Sequence, residues 1–383
     1  MLPELLTSTD PDSYQAYLEQ KTSAARQRLE GAGIVLPEDA VYPSEPVHYR
    51  MRSEFGVFHR DGGFDYVMYK KGKGKSETVV TNSFNVHARC IDALMPDLRE
   101  EVCKEELLKD KLFEADFLAN SKGHVVAALQ YHKPLDTAFG HALSRAAQNL
   151  RDRGHSTDLA ARARKQLVKA DTDALYETYE LGDATLRLRQ VIGYFSQPNA
   201  GVCTQMLRFV RACAKETESR GHDLLELYCG SGTFTIALAP LFRYVIATEI
   251  SREALRTAEH NLAENGISNT TLLRLSAGEM GMALYGHKAF NRLAIKKVEL
   301  GAYSLRTLFI DPPRMGLRDE ASLRLTASFD NIIYVSCGLE SLINDLRYLC
   351  RTHEVSRIGF FDQFPYTNHL ETIVFLTRTN KLQ

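Results

Sequence analysis

The chain has 383 residues, 44% hydrophobic and 25% charged, with 47 basic and 48 acidic side chains. That balance excludes a disordered tail, a fibre and a disulfide-knitted miniprotein, and it makes no global electrostatic case for or against nucleic acid. No apolar run is long enough for a transmembrane helix, and the start MLPELLTSTDPDSYQAYLEQ lacks the basic opening and apolar core of a signal peptide.

Residues 11–31 predict a helix, capped by Asp10 or Ser13 and stopped at Gly31-Ala32-Gly33, then a connector punctuated by Pro37 and Pro46. From Tyr49 to Val80 the pattern alternates. YRMRSEFGVFHR, a DGG turn, FDYVMYKK, a GKGK turn and SETVV predict an antiparallel meander. Its basic side chains (Arg50, Arg52, Arg60, Lys70, Lys71, Lys73, Lys75) outnumber its acidic ones and interleave with Tyr49, Phe55, Phe58, Tyr66 and Tyr69. Residues 86–108 predict a helix, 121–131 a strand and 135–152 a helix. A second basic run, Arg162, Arg164, Lys165 and Lys169, lies in a stretch, 156–190, without a clear pattern.

After about residue 195 buried strands alternate with helices: DLLELYC, RYVIATE, TTLLRLSA, TLFIDPP and NIIYVSC each end near a turn or helix start. This predicts a parallel doubly wound sheet. The last two strands, VSRIGFFDQF and HLETIVFLTRT, have no helix between them, so one is expected to be antiparallel.

Four signals carry chemistry. The first is the strand–turn–helix ELYCGSGTF, whose glycines let a ligand approach the backbone, followed by Glu249 at the next strand end. An acid there can accept from both ribose hydroxyls of an adenosine. Without a third glycine in dinucleotide spacing, S-adenosylmethionine is favoured over NAD. The second is Asp311-Pro312-Pro313-Arg314, placed over the sheet's carboxyl edge. The third is Cys337, ending the next strand before a helix N-terminus expected to favour thiolate. The fourth is Glu371 at the mouth of the last strand, with His369 as an orienting imidazole. The seven cysteines show no CxxC, read as free thiols, and no cluster has metal spacing. A methyl donor, a thiolate and a carboxylate together suggest methylation at C5 of a pyrimidine. The thiolate adds to C6, C5 takes the methyl group, and the base removes the C5 proton.

The blocks HYRMRSEF, YFSQPNA, DLLELYCGSGTFTIALA, ATEIS, FIDPPRMGL, YVSC and FDQFPYTNHLET resemble, in order and through nearly the whole chain, those of the tRNA (uracil-5-)-methyltransferases. The resemblance implies Cys337 as nucleophile and Glu371 as general base. It implies Gln197, Tyr228, Thr233, Glu249 and Asp311 as S-adenosylmethionine contacts. The implied fold is α/β, a Rossmann-like class I methyltransferase domain with an antiparallel edge hairpin over residues 191–383, preceded by a mixed α+β RNA-recognition region over residues 1–190. Two departures stand out: GSGTF replaces the usual GNGNF, and Gly338-Leu339 replaces the usual Asn-Pro after the nucleophile. The expected substrate is uridine 54 in the T loop of tRNA, with the T-like loop of tmRNA as a further target. The uridine must be pulled from a folded loop, a task suited to the basic meander, with Arg50, Arg52, Lys70, Lys71, Lys73 and Lys75 as RNA contacts. The chain is expected to be a cytoplasmic monomer with no metal and no membrane partner. Three alternatives stay open: the same chemistry on ribosomal RNA, an exocyclic-amine methyltransferase that needs no Cys337, and an RNA-folding chaperone that needs neither Cys337 nor Glu371.

Overall fold

The computed structural model describes residues 9–69 and 78–379, so Lys70, Lys71, Lys73 and Lys75 lie outside the described residues. The chain opens with α1 (Tyr14–Gly31) and β1 (Asp39–Tyr42). Next come β2 (Arg52–Arg60), β3 (Gly63–Tyr69), β4 (Thr78–Val80), α2 (Arg89–Lys104), α3 (Glu106–Lys109), β5 (Leu112–Ala119) and β6 (Val125–Tyr131). They are followed by α4 (Thr137–Asp152), β7 (Thr157–Ala163), β8 (Gln166–Lys169), β9 (Ala174–Glu180) and β10 (Thr185–Val191). The α/β part runs α5 (Ala200–Glu216), β11 (Asp223–Leu227), α6 (Thr233–Leu238), β12 (Val245–Thr248), α7 (Arg252–Glu264) and β13 (Thr270–Leu273). It ends with α8 (Ala277–Leu284), α9 (Asn291–Ile295), β14 (Leu305–Ile310), α10 (Glu320–Ala327), β15 (Asn331–Ser336), α11 (Leu339–Leu349), β16 (His353–Phe361) and β17 (Glu371–Arg378).

The chain divides into two units, one of residues 1–14, 45–178 and 189–200 and the other of residues 15–44, 179–188 and 201–383. The single boundary expected near residue 190 is therefore replaced by a discontinuous division. The physical reason lies in α1 and β1. Ala25 and Leu29, one helical turn apart, and Ile34 are buried in the core of the second unit. β1 pairs in parallel with β16, from Asp39 beside Ile358 to Tyr42 beside Phe361. The expected connector thus contains a strand.

The first unit carries a sheet in the order β4-β3-β2-β5-β6-β7-β8. The expected meander forms β2, β3 and β4. β6 and β7 are parallel, which requires a crossover, and α4 supplies it. Asp136 caps α4 by accepting from Phe139 N at 2.8 Å. The inward stripes of α2 (Ile91, Leu94, Met95, Leu98) and α4 (Phe139, Leu143, Ala146) join Phe55, Phe64, Tyr66 and Phe117 of the sheet in one core.

The second unit carries a sheet in the order β1-β16-β17-β15-β14-β11-β12-β13. β11 to β15 are mutually parallel, and the order reverses direction on either side of β11. β17 runs antiparallel to both β15 and β16, as expected for one of the last two strands. β1 lies outside that hairpin. The central strands are buried along most of their length on both faces, with Asp223 and Glu226 of β11 and Thr307 of β14 enclosed among their apolar residues. Among the described residues no helix is long and apolar enough to cross a membrane.

Candidate active site

Sheet register gathers the candidate residues. Leu227 lies beside Thr248 on one side and Ile310 on the other, Ile310 lies beside Tyr334, and Ser336 lies opposite Thr372. The residues that follow these strand ends (Glu249, Tyr228, Asp311 and Cys337) therefore share one carboxyl edge. Because β17 is antiparallel, its first residue, Glu371, arrives at that same edge beside Cys337. This is the place where open α/β sheets take their ligands.

Tyr228 turns the chain out of β11 with φ +63°, and Gly230 and Gly232 continue in the left-handed region. A Cβ at Gly232 would stand 3.3 Å from that of Ala258 on α7, so close helix packing demands glycine there. At Gly230 a Cβ would meet nothing within 4 Å, which leaves open space over the turn. Thr233 is the first residue of α6. The Glu249 carboxylate is fixed by three backbone donors: Gly230 N at 3.2 Å, and Ile250 N and Ser251 N at 2.8 Å each. Burial pushes the Asp311 carboxyl up to about 7, a state that a bound cation would reverse. Open space, a fixed carboxylate and an acid awaiting a cation fit an adenosyl sulfonium ligand. Gln197 belongs to the first unit and is not part of this row.

The expected thiolate is corrected by its surroundings. Burial, and after it the carboxylates of Glu371 and Asp311, push the Cys337 thiol up to about 11. A helix N-terminus contributes at most about 2 kcal/mol in a partly buried setting, roughly 1.5 in pKa, and falls short of a rise from 9.0 to about 11. Burial also pushes Glu371 up to about 8, with the Asp311 charge adding to it. Arg314 opposes the rise at Cys337. Its carbonyl accepts from Ser341 Oγ at 2.8 Å, and its Nη2 donates to His369 Nδ1 at 3.2 Å. A Cβ at Gly338 would come within 2.6 Å of the Arg314 carbonyl oxygen. The departure from Asn at this position thus lets the Asp311–Arg314 segment lie directly against the start of α11.

In the first unit, Arg50 donates from Nε to the Arg52 carbonyl at 2.9 Å, and burial lowers its pKa. Arg52 pairs with Glu54 and donates to the Tyr194 carbonyl at 3.0 Å. Sequence reasoning missed a cavity of about 690 Å³ lined by Phe113, His132, Lys133, Arg162 and Arg164, among others. The Phe113 and His132 rings stack with centroids 3.9 Å apart and planes 6° from parallel. Phe113 is the extra residue of a bulge in β5, which aims its ring outward. Sequence reasoning also missed Lys21, which reaches from α1 to Asp362 and the loop before Glu371.

A sequence model of the tRNA (Uracil-5-)-methyltransferase family matches residues 13–379. A tRNA/tmRNA (uracil-C(5))-methyltransferase of Azoarcus sp. (strain BH72) is 42% identical over 370 residues, covering 97% of this chain and 98% of the relative. One of Saccharophagus degradans is 39% identical over 373 residues, covering 97% and 99%. The crystal structure of the Pyrococcus abyssi tRNA (uracil-54, C5)-methyltransferase in complex with S-adenosyl-L-homocysteine shares the fold, with a TM-score of 0.66 and 19% identity over 95% of this chain and 83% of that one. With the family matched from near one end of the described residues to the other, over the strand ends that carry Cys337 and Glu371, this chain belongs to the tRNA (uracil-5-)-methyltransferases.

Proposed function

We propose that the chain methylates C5 of uridine 54 in the T loop of tRNA, and the T-like loop of tmRNA, as a cytoplasmic monomer. The observation that carries this reading is the shared edge that sets Cys337 beside Glu371, with Asp311, Tyr228 and Glu249 continuing the row. S-adenosylmethionine supplies the methyl group. Tyr228, Thr233, Glu249 and Asp311 would hold it, with Gln197 as a further contact.

The Cys337 thiol gives up its proton to solvent, the resulting thiolate sulfur adds to C6 of uracil, and the C5=C6 electron pair moves toward O4 as an enolate. C5 then forms its bond to the methyl carbon. The Glu371 carboxylate takes the C5 proton, the released pair restores C5=C6, and the C6–S bond breaks with its electrons returning to sulfur. A carboxyl near 8 is a stronger base than an ordinary glutamate and is well matched to that last step. The first unit supplies the RNA surface. Phe113 and His132 offer a stacking platform for an unstacked base, and Lys133, Arg162 and Arg164 offer charge to phosphates. Arg50 and Arg52, with Lys70, Lys71, Lys73 and Lys75 from outside the described residues, are the further RNA contacts of this reading.

The test is purified protein incubated with tRNA, ribosomal RNA and methyl-labelled S-adenosylmethionine, followed by mass mapping of nuclease fragments. 5-Methyluridine at position 54 of tRNA is expected. Label confined to ribosomal RNA, or placed on an exocyclic amine, overturns the reading.

A further inference from the structure

Glu371 is the first residue of β17, and residues 362–370 deliver it. That connection is longer than the usual hairpin loop of 2–5 residues, so its inward carbonyls need donors from elsewhere. Within the loop, Thr367 N and Oγ1 both donate to the Phe364 carbonyl, at 3.3 and 2.8 Å, and His369 N donates to Thr367 Oγ1 at 3.1 Å. Further support comes from α1. The Lys21 ammonium pairs with Asp362 and donates to the carbonyls of Phe364 at 3.2 Å, Thr367 at 3.4 Å and His369 at 3.2 Å. One turn earlier on the same helix face, Tyr17 meets Tyr366 edge-on, with centroids 6.0 Å apart. The Lys21 side chain is 10% exposed and that of Asp362 is fully buried, so the pair is a built feature rather than a surface contact. On the loop's other side His369 is tied to Arg314, on the segment that borders Cys337.

We propose that Lys21 is a positioning residue for the proton-removal step: its ammonium gathers the carboxylate and carbonyls of the 362–369 loop and so holds Glu371 at the sheet edge. The proposal rests on the reading of Glu371 as the base. A compact ammonium can point its protons at several oxygens around it, which neither a neutral side chain nor the planar fork of arginine reproduces. Lys21 touches no reacting atom. Its loss leaves the thiol addition and the methyl transfer in place and slows only the step that frees Cys337.

The experiment compares wild type, Lys21→Met, Glu371→Gln and Arg26→Met under one protocol. Arg26→Met breaks the α1 pair with Asp39 and leaves the loop contacts alone. Each protein is mixed with tRNA and methyl-labelled S-adenosylmethionine, and labelled protein–RNA adduct surviving denaturing electrophoresis is measured beside turnover and the KM for the methyl donor. Lys21→Met is expected to lower kcat by about 10–100-fold, as displacement of a catalytic group does. It should accumulate methylated adduct as Glu371→Gln does, leave the donor KM near wild type, and differ from Arg26→Met, which forms no excess adduct. Wild-type turnover, or a loss of methyl transfer without adduct, overturns the role of Lys21. Absence of adduct in Glu371→Gln overturns the reading of the base instead, so the two failures are distinct. If Lys21→Met does not fold because the buried Asp362 carboxylate has lost the Lys21 ammonium, the double variant Lys21→Met, Asp362→Asn removes both charges and is held to the same outcomes.

Discussion

Replacing Glu371 by Gln should make the protein more stable while it disables turnover. Glu371 is 8% exposed, and burial raises its carboxyl from 4.5 to about 8. An acid whose folded pKa lies above its unfolded one binds more protons in the folded state, so stability falls as pH rises through the interval between the two. The penalty is absent below about pH 4.5, grows through neutrality and is complete above about pH 8. At about 1.4 kcal/mol per unit, its ceiling is roughly 5 kcal/mol above pH 8 and roughly 3 kcal/mol at pH 7. A glutamine of the same shape carries no such penalty. Parallel thermal unfolding of the two proteins across that range should give nearly equal midpoints at the acid end. The gap in favour of Glu371→Gln should widen toward pH 8, at about 2–4 °C per kcal/mol for a unit of this size. A gap that does not change with pH, or a wild type that is the more stable at pH 8, would refute the argument that burial holds this carboxyl high.

Cys337→Ala should abolish 5-methyluridine formation and leave binding of the methyl donor intact, which isothermal titration and mass mapping check; retained product would remove the thiol from the mechanism. Gly338→Ala should cost about 1–3 kcal/mol by pushing the Arg314 carbonyl, 2.6 Å from the added methyl, away from α11. Trapping of the Gly338→Ala enzyme by RNA carrying 5-fluorouridine at the target should slow more than donor binding weakens. Joint replacement of Lys70, Lys71, Lys73 and Lys75 by Ala should weaken tRNA binding and flatten its logarithmic salt dependence, by up to about 0.9 for each duplex phosphate no longer neutralised. An unchanged slope would leave the Phe113–His132 cavity and its cations as the phosphate-binding surface.

The parts of the fold that are legible in the sequence are those governed by local grammar. DLLEL running into GSGTF declares a buried strand, a tight turn and a helix without reference to the rest of the chain, and so do TLFIDPP and NIIYVSC. The strand Asp39–Tyr42 reads as a connector because four half-buried residues between prolines carry no period, and the strand it pairs with, β16, is more than 300 residues away. The Phe113–His132 stack is invisible for a similar reason. It depends on a one-residue bulge in the pairing of β5 with β6, and register is a property of two strands together. The positions of Cys337 and Glu371 can be read, but their protonation cannot. That depends on how much water each loses and on Asp311 arriving from another strand. Lys21 gives no signal at all, since a lysine on an N-terminal helix looks solvated until its partner, 341 residues on, is in place.

The discontinuous second unit has a consequence for synthesis. α1 and β1 leave the ribosome more than 300 residues before the strand that pairs with β1 and the loop that Lys21 clasps. The intervening first unit, whose sheet closes within residues 52–169, can fold while the N-terminal segment waits unpaired. Closure of the sheet edge that carries Cys337 and Glu371 therefore waits until β16 and β17 have been made. A product truncated before β16 would hold the whole sheet of the first unit and lack Glu371 and the strand that pairs with β1.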